Sequence, residues 1–210
     1  MNRIYMKKIF LLSVLYCVSA SVFAQLRMRE VFAHLPDSVL PLMTKNNRLD
    51  CIDFIENNME ARVKNRFDDQ VVLEVLTDDY LSIRASEGSF IEMKLIPNAN
   101  DTLIYVNRTY FGPAEDSEVR MYDISWNFIA VVQRPDIEQF IKKTGDVKQS
   151  QIENSDTLRM IRSEAEVLPL IKASLSSVPG KVEWVLQTAE FSRELKKVAS
   201  KYLQPVICDL

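Results

Sequence analysis

The sequence contains few of the residues on which common catalytic and cofactor sites depend. Its 210 residues include one histidine, His34, three cysteines and four glycines. A single histidine argues against multi-histidine metal sites and most histidine-based acid–base catalysis. Glycine-rich phosphate loops, the G-x-S-x-G hydrolase motif and the H-E-x-x-H zinc motif are absent. We therefore expect no cofactor, and we interpret His34 as a capped or solvated residue at a helix end.

Apolar runs are short throughout the sequence, and the clearest one lies near the amino terminus. Basic residues precede an apolar core at residues 9–18, and residues 22–24 (VFA) fit the small-residue pattern of a signal peptidase site. This core is too short to cross a bilayer. We predict a secretory signal peptide over residues 1–24, which leaves Gln25 as the first residue of the exported chain. No later run is long enough for a transmembrane segment.

Export changes the expected charge and the chemistry of the cysteines. Removing the basic residues of the signal changes the formal net charge from −3 to −6, which argues against nucleic acid or an anionic membrane surface as partner. A lipid anchor at Cys17 is disfavoured because Tyr16 stands where lipoprotein signals have a small residue. An oxidising compartment permits a disulfide between Cys51 and Cys208, and the alternative is two free thiols with Cys51 buried.

Residues 71–132 carry the pattern around which the fold is expected to form. Short segments rich in β-branched and aromatic residues alternate with turn residues such as Asp78-Asp79. Residues 71–76 are nearly all apolar, as in a central strand. Short strands joined by tight turns predict an antiparallel meander, with strands at residues 71–76, 80–85, 90–96, 102–109, 118–125 and 128–132.

A helix is predicted on the amino-terminal side of this meander. It covers residues 46–60, with Asn46 or Asn47 as the N-cap. At the helical period its apolar side consists of Cys51, Ile52, Ile55 and Met59. A shorter helix is predicted at residues 25–36, because apolar residues recur there at the same period.

The carboxyl-terminal third is predicted to contain a hairpin and a closing helix. A polar linker at residues 145–156 follows a brief helix at residues 135–143. Pro179-Gly180 favours a turn, which predicts a hairpin. The remaining assignments are hairpin strands at residues 170–176 and 181–187, a final helix at residues 189–203 capped by Thr188, and a short edge strand at residues 206–208.

Together these elements predict an α+β fold, a mainly antiparallel meander sheet flanked by amino-terminal and carboxyl-terminal helices. One domain is expected from residue 25 to residue 210. The polar linker leaves open a semi-independent part at residues 157–210.

Carboxylates form one cluster that deserves a chemical interpretation. Asp50, Asp53, Asn57 and Glu60 fall on one face of the helix predicted at residues 46–60. Such oxygens suit calcium, and a carboxylate pair could serve a glycosidase. We prefer a solvated acidic face, because a straight helix rarely supplies a full calcium shell.

Aromatic residues late in the meander are the candidate ligand-binding residues. Tyr105, Tyr110, Tyr122 and Trp126 lie there together with Arg108. On an open sheet face they would stack on a sugar or pack against a partner. The alternative is that they fill the core, as aromatic residues at strand spacing usually do.

Several runs resemble an uncharacterised family of exported proteins from Bacteroidales. The resemblance covers most of the exported chain and rests on residues 37–54 (DSVLPLMTKNNRLDCIDF), 76–83 (LTDDYLSI), 92–97 (EMKLIP), 108–126 (RTYFGPAEDSEVRMYDISW), 170–176 (LIKASLS) and 196–205 (KKVASKYLQP). It implies an α+β fold and a location in the periplasm or cell envelope of a Gram-negative bacterium. It brings no activity, cofactor or catalytic residue with it.

Two hypotheses of function follow. The first is a non-enzymatic periplasmic or cell-envelope protein that binds another envelope protein or a small ligand. The alternative is a hydrolase of envelope glycan that uses carboxylates beside an aromatic platform. A cleft holding two carboxylates beside Trp126 or Tyr122 would favour the hydrolase. An exposed apolar patch or an open sheet edge would favour the binding protein.

Overall fold

The computed structural model describes residues 26–98, 101–142, 156–175 and 180–210, and it confirms an α+β fold. The predicted signal peptide, most of the linker and most of the hairpin turn lie outside the described residues. The helices are α1 (Met28–Ala33), α2 (Lys45–Glu56), a 3₁₀ turn (Ile137–Phe140), α3 (Asp156–Val167) and α4 (Arg193–Ala199). The strands are β1 (Ala61–Lys64), β2 (Gln70–Leu76), β3 (Tyr80–Ser86), β4 (Ser89–Asn98), β5 (Asp101–Phe111), β6 (Glu115–Tyr122), β7 (Phe128–Val131), β8 (Ile171–Ser174), β9 (Lys181–Leu186) and β10 (Val206–Asp209).

The strands form two antiparallel sheets. The larger sheet holds seven strands in chain order from β1 to β7, so the predicted meander is confirmed. Its first strand, β1, was missed by the sequence patterns, and it places β2 one position inside the edge. The smaller sheet has the order β10-β9-β8, which confirms the predicted hairpin and the strand added by the last residues.

One face of the meander packs against the amino-terminal helices. Alternate residues of the central strands point to this face, because successive side chains of a strand point to opposite sides. They form a single core with α1 and α2, which includes Phe32, Leu81, Ile83, Met93 and Val106, all at most 2% exposed. Cys51 lies in the same core.

Helix α2 begins and ends earlier than its sequence pattern predicts. Its N-cap is Thr44, whose side chain accepts a hydrogen bond from the amide of Asn47, and Asn47 bonds back to Thr44 in a capping box. The helix ends at Glu56, so Met59 is 50% exposed and Glu60 lies outside it. The prediction of an asparagine N-cap was therefore wrong, and Met59 lies beyond the helix whose apolar side it was predicted to share.

A buried arginine on α2 connects this helix to the preceding segment. Arg48 is 2% exposed and its guanidinium donates to the carbonyls of Leu35 and Met43 and to the carboxylate of Asp37. Arg66 also contacts Asp37. Hydrogen bonds from Arg48, opposed by desolvation and assisted by the charge of Arg66, lower the pKa of the Asp37 carboxyl.

The opposite face of the meander packs against the carboxyl-terminal elements. Tyr105 and Val119 of the meander share a second core with Trp184 of β9, Phe140 and residues of α3. Helix α3 was not predicted, although Leu158, Ile161 and Ala165 recur at helical spacing and are buried. The two cores therefore lie on opposite faces of one sheet.

Two further helical predictions were too long. Residues 137–140 form a single 3₁₀ turn where a helix over residues 135–143 was expected. The last helix covers Arg193–Ala199 and its N-cap is Ser192, where Thr188 was expected. Leu195 of this helix and Phe191 just before it are buried.

Candidate functional site

Two of the predicted ligand-binding aromatics are core residues. Tyr105 and Tyr122 are each 6% exposed and belong to opposite cores of the molecule. Burial raises the pKa of the Tyr105 phenol. The structure therefore does not bring these two side chains together on one surface, and the alternative of core packing holds for both.

Arg108 and Tyr110, which follow Tyr105 on β5, lie nearer the surface. Arg108 is half-buried and its guanidinium donates to the carbonyl of Val39, which ties β5 to the segment before α2. Tyr110 is 53% exposed, at one side of a small apolar groove of about 120 Å³ that Arg108 also lines. This groove is small for an organic ligand.

Trp126 lies in the turn between β6 and β7 and has an unusual backbone conformation. Its φ angle is +65°, in the left-handed region that bulky residues rarely adopt. The carboxylate of Asp123 holds the turn by accepting hydrogen bonds from the amides of Ser125 and Asn127 and from the Asn127 side chain. The indole of Trp126 packs on Tyr122, with 5.6 Å between ring centroids. This turn directs the chain into β7.

Strand β7 presents apolar side chains to solvent at an open sheet edge. Phe128, Ile129 and Val131 are between 46% and 57% exposed, and Ile124 in the preceding turn is 50% exposed. In the described part of the chain, β7 pairs only with β6. The strand contains no charged residue and no proline. Exposed apolar edges of this kind are uncommon in natural proteins, which usually protect them.

The backbone of β7 also has groups directed toward the open side. The amide of Val132 donates to the carbonyl of Val119 at 2.8 Å, and Val131 lies opposite Arg120. Hydrogen-bonded and non-hydrogen-bonded pairs alternate in an antiparallel ladder. The N–H and C=O of Val131 therefore point away from β6, where a further strand can bond to them.

A row of polar side chains from three strands of the meander holds β8 in place. Strand β8 is an edge of the small sheet, and three successive outward groups bond to the meander. The Ile171 amide donates to Asp116, the Ala173 carbonyl accepts from Asn107, and the Leu175 amide donates to Glu92. These partners belong to β6, β5 and β4. The polar row thus explains why Glu92 and Asn107 are buried.

A cleft of about 290 Å³ lies beside this polar row, between β8 and the meander. It contains the carboxylates of Glu74, Glu92 and Glu115 and the rings of Tyr80, Phe90 and Phe111. Glu74 forms an ion pair with Arg84, and Glu115 forms one with Lys172. The cleft lies on the sheet face opposite the core that contains Tyr122 and its neighbour Trp126. The pattern that would favour a hydrolase is thus not formed at those two aromatics.

The acidic face predicted on α2 is divided by the end of that helix. Asp50 and Asp53 lie on α2, Asn57 is its C-cap, and Glu60 bonds to Arg62 beyond it. Among the described residues, no group of three or more histidine, cysteine or acidic residues is placed to hold a metal ion.

The structure separates the remaining cysteines and exposes the histidine. Cys51 and Cys208 are free thiols in different cores. Burial, assisted by the nearby charge of Asp50, raises the pKa of the Cys51 thiol to about 12, so this thiol is unreactive at neutral pH. His34 is exposed at the end of α1 with Nδ1 2.9 Å from the Glu30 carbonyl oxygen, which confirms its prediction.

Within the described ranges, each helix is too short or too polar to span a bilayer. The protein is thus an α+β protein with a seven-stranded meander and helices on both faces of that sheet. The edge strand β7 is apolar. The chain belongs to the family described as protein of unknown function (DUF3256), whose model matches residues 19–208.

A solved structure is similar to this chain over most of the length of both. It is described as the structure of a domain of an uncharacterized protein from Porphyromonas gingivalis W83, a member of the Bacteroidales. The TM-score is 0.67 at 20% sequence identity, and the match covers 87% of this chain and 92% of that one. At this identity the likeness shows a shared fold. The comparison with curated proteins gave no match.

Proposed function

We propose that this chain is an exported, non-enzymatic binding protein of the bacterial envelope that captures an extended, apolar segment of another protein along β7. The observation that carries the proposal is the row of exposed apolar side chains on an uncharged edge strand, Phe128, Ile129 and Val131. Their surface would be removed from water by a partner strand, and such burial is the main favourable term in association.

The geometry of the edge supports recognition by strand addition. A partner strand beside β7 would bond to the outward N–H and C=O of Val131. Main-chain bonds of this kind give affinity in β-augmentation, and alternate side chains give specificity. Phe128 and Val131 lie opposite Tyr122 and Arg120, on one face of the sheet. A partner segment with apolar residues at alternate positions would extend this face.

The turn before β7 supports a preformed site. The Asp123 carboxylate holds the turn through three hydrogen bonds from Ser125 and Asn127. Phe128 packs edge-on against Tyr122 with 6.0 Å between ring centroids. A rigid start to the strand lowers the entropy lost on binding.

The test is selection of dodecamer peptides from a random library on the purified protein. The expected result is enrichment of peptides with apolar residues at alternate positions. Hydrogen exchange with a selected peptide should then slow the Val131 amide, because that amide gains a bonding partner. An enriched peptide that protects only amides remote from β7 would contradict the proposal, and so would a selection without enrichment.

A second copy of the chain is the competing occupant of this edge. Light scattering of the purified protein without peptide, over a range of concentrations, distinguishes the two. A monomer supports capture of a foreign segment. A dimer that loses Val131 protection on dilution would show that β7 pairs with itself, and the proposal would then fail.

Export is supported by the amino-terminal sequence, with its basic start, apolar core at residues 9–18 and VFA at residues 22–24. Cell fractionation and mass spectrometry of the amino terminus test it. The expected product begins at Gln25 and is found in the periplasm or envelope. A cytoplasmic protein that retains Met1 would contradict this part of the proposal.

A further inference from the structure

We propose a second binding site, for a small organic cation with a primary ammonium group, in the cleft between β8 and the meander. It is separate from β7 and independent of the docking function above. The cavity of about 290 Å³ is close in size to the smaller ligand pockets of proteins. Glu92 lies in it and is only 3% exposed.

The carboxylate of Glu92 is the central feature of this site. It accepts hydrogen bonds from the Tyr80 hydroxyl at 2.8 Å, from Asn107 Nδ2 at 2.8 Å and from the Leu175 amide at 3.3 Å. All these donors are neutral. No ion pair among the described residues includes Glu92. A cation beside a buried carboxylate is strongly favoured, because the surroundings screen the charges weakly.

The other fixed charges of the cleft are already compensated. Glu74 lies 3.1 Å from Arg84, and Glu115 lies 2.8 Å from Lys172. Among the described residues of the lining, the negative charge of Glu92 therefore has no ion-pair partner. A neutral ligand would leave that charge without a counter-ion, and an anion would be repelled by it.

The walls of the cleft have aromatic faces that already contact cations. The Arg84 guanidinium lies 5.8 Å from the centroid of Phe90 and 5.9 Å from that of Phe111. Lys94 Nζ lies 5.5 Å from the centroid of Tyr80. Aromatic faces attract ammonium and guanidinium groups through the ring quadrupole. The same rings offer apolar surface to a short alkyl stem.

The bonding capacity of Glu92 favours an ammonium over a guanidinium group. An ionised carboxylate has about four acceptor positions. Three hydrogen bonds to Glu92 already occupy three of these positions. The described residues thus leave one position, which suits a single N–H donor better than a bidentate fork. Asn107, which contacts Glu92, is fully buried, and its Oδ1 accepts no hydrogen bond from a described residue. Asn107 is not part of the cleft lining, so the ammonium group would bond to Glu92 itself.

The test is titration of the purified, isotopically labelled protein with n-butylamine hydrochloride near neutral pH, followed by NMR. n-Butanol, butyrate and glucose serve as neutral, anionic and sugar probes. The expected result is saturable binding of the amine with a Kd on the order of 1 mM, with shifts at Glu92, Tyr80 and Phe111. Absence of saturable amine binding overturns the proposal, and so does equal or tighter binding of the alcohol or the sugar.

Two cleft variants and one matched control assign the effect to residues. Glu92→Gln keeps the shape and removes the charge, and it should weaken amine binding by about tenfold or more. Phe111→Leu should weaken it several-fold by removing one aromatic face. Glu87→Gln alters an exposed carboxylate in the β3–β4 turn, outside the cleft lining, and should have no effect. If Glu92→Gln fails to fold, Phe111→Leu and the shift map decide, and an unchanged affinity in Phe111→Leu would count against the site.

Discussion

The two edges of the meander sheet have the same length and opposite chemistry. Strand β1 at one edge and β7 at the other each contain four residues. In β1 the solvent-facing positions are Arg62 and Lys64, which pair with Glu60 and Asp68. In β7 the exposed positions are Phe128, Ile129 and Val131. One edge is thus charged and the other is apolar within the same sheet.

Charge on an edge strand is a common protection against unwanted pairing. Arg62 and Lys64 give β1 this protection. Core packing does not account for the difference, because the apolar side chains of β7 are themselves about half exposed. An apolar β7 is therefore better explained as a surface that a partner covers.

The largest expected effect on peptide affinity follows from placing charged residues on β7, as on β1. Ile129→Lys with Val131→Lys should lower the affinity for a selected peptide by about thirtyfold or more, since each side chain buries apolar surface worth about 1 kcal/mol or more. The free energy of unfolding should change by no more than about 0.5 kcal/mol per site, because both positions are on the surface. Calorimetric titration and urea unfolding measure the two quantities.

The matched control for this prediction lies on another sheet edge. Ile207 of β10 is 51% exposed, close to the exposure of Val131. Ile207→Lys should leave the peptide affinity unchanged. An equal loss of affinity in Ile207→Lys would mean that total charge matters more than the edge that carries it.

The reverse exchange should produce a smaller but visible effect. Arg62→Val with Lys64→Val makes β1 apolar and removes the ion pair with Glu60. The variant should self-associate as concentration rises, because an unprotected edge is a template for pairing. Light scattering should show a growing apparent mass, whereas Arg62→Lys with Lys64→Arg keeps the charge and should stay like the wild type. A double valine variant without any added association would show that charge is not what protects β1.

The sequence predicts the meander well because alternation and turn residues are local signals. Strand β1 was not predicted, because a short strand with Arg62 and Lys64 at its exposed positions has little apolar pattern. The prediction for helix α2 continued to residue 60, because periodicity alone does not mark where the chain leaves the helix. Glu56 ends it, and Asn58 follows with a φ angle of +56°.

The candidate site was harder to predict than the fold. Continuous apolar runs such as β7 usually indicate a buried strand, yet β7 lies at an edge, because strand order is not a local property of the chain. Tyr105 and Tyr110 lie on one strand with opposite exposure, which depends on what covers each sheet face. Glu92 alternates with the apolar residues Ile91 and Met93 on β4 and so lies on the other face of the sheet. Only the position of β8 explains its burial.

A change in the turn before β7 should have an effect of intermediate size on peptide affinity. Asp123→Ala removes the acceptor for Ser125 and Asn127, so the turn that holds Trp126 at positive φ should loosen. Exchange of the Asn127 amide should become faster and the peptide affinity should fall several-fold. Asp123→Asn keeps one carbonyl oxygen as acceptor and should behave between the alanine variant and the wild type. An alanine variant with unchanged exchange and affinity would show that the turn does not organise β7.

The smallest effect concerns the carboxylates that flank the two edges. Hydrogen bonding and charge from Arg62 lower the pKa of Glu60 beside β1, and side-chain and backbone hydrogen bonds from Asn127, with the Ser125 amide, lower the pKa of Asp123 beside β7. In both cases the ionised form is favoured in the folded state. Their contributions to stability are therefore present above the ordinary values of 4.5 and 3.8 and are lost as pH falls below them.

Salt should distinguish the two causes. At about 1 M salt the screening length is about 3 Å, which weakens an exposed ion pair more than hydrogen bonds from neutral groups. NMR titration of the side-chain carboxyl carbons at low and high salt should show the Glu60 pKa rising toward 4.5 while the Asp123 pKa stays lowered. Equal salt dependence at both residues would mean that charge acts at both edges. The contrast between a charged, protected β1 and an uncharged, preformed β7 would then no longer extend to the residues that flank them.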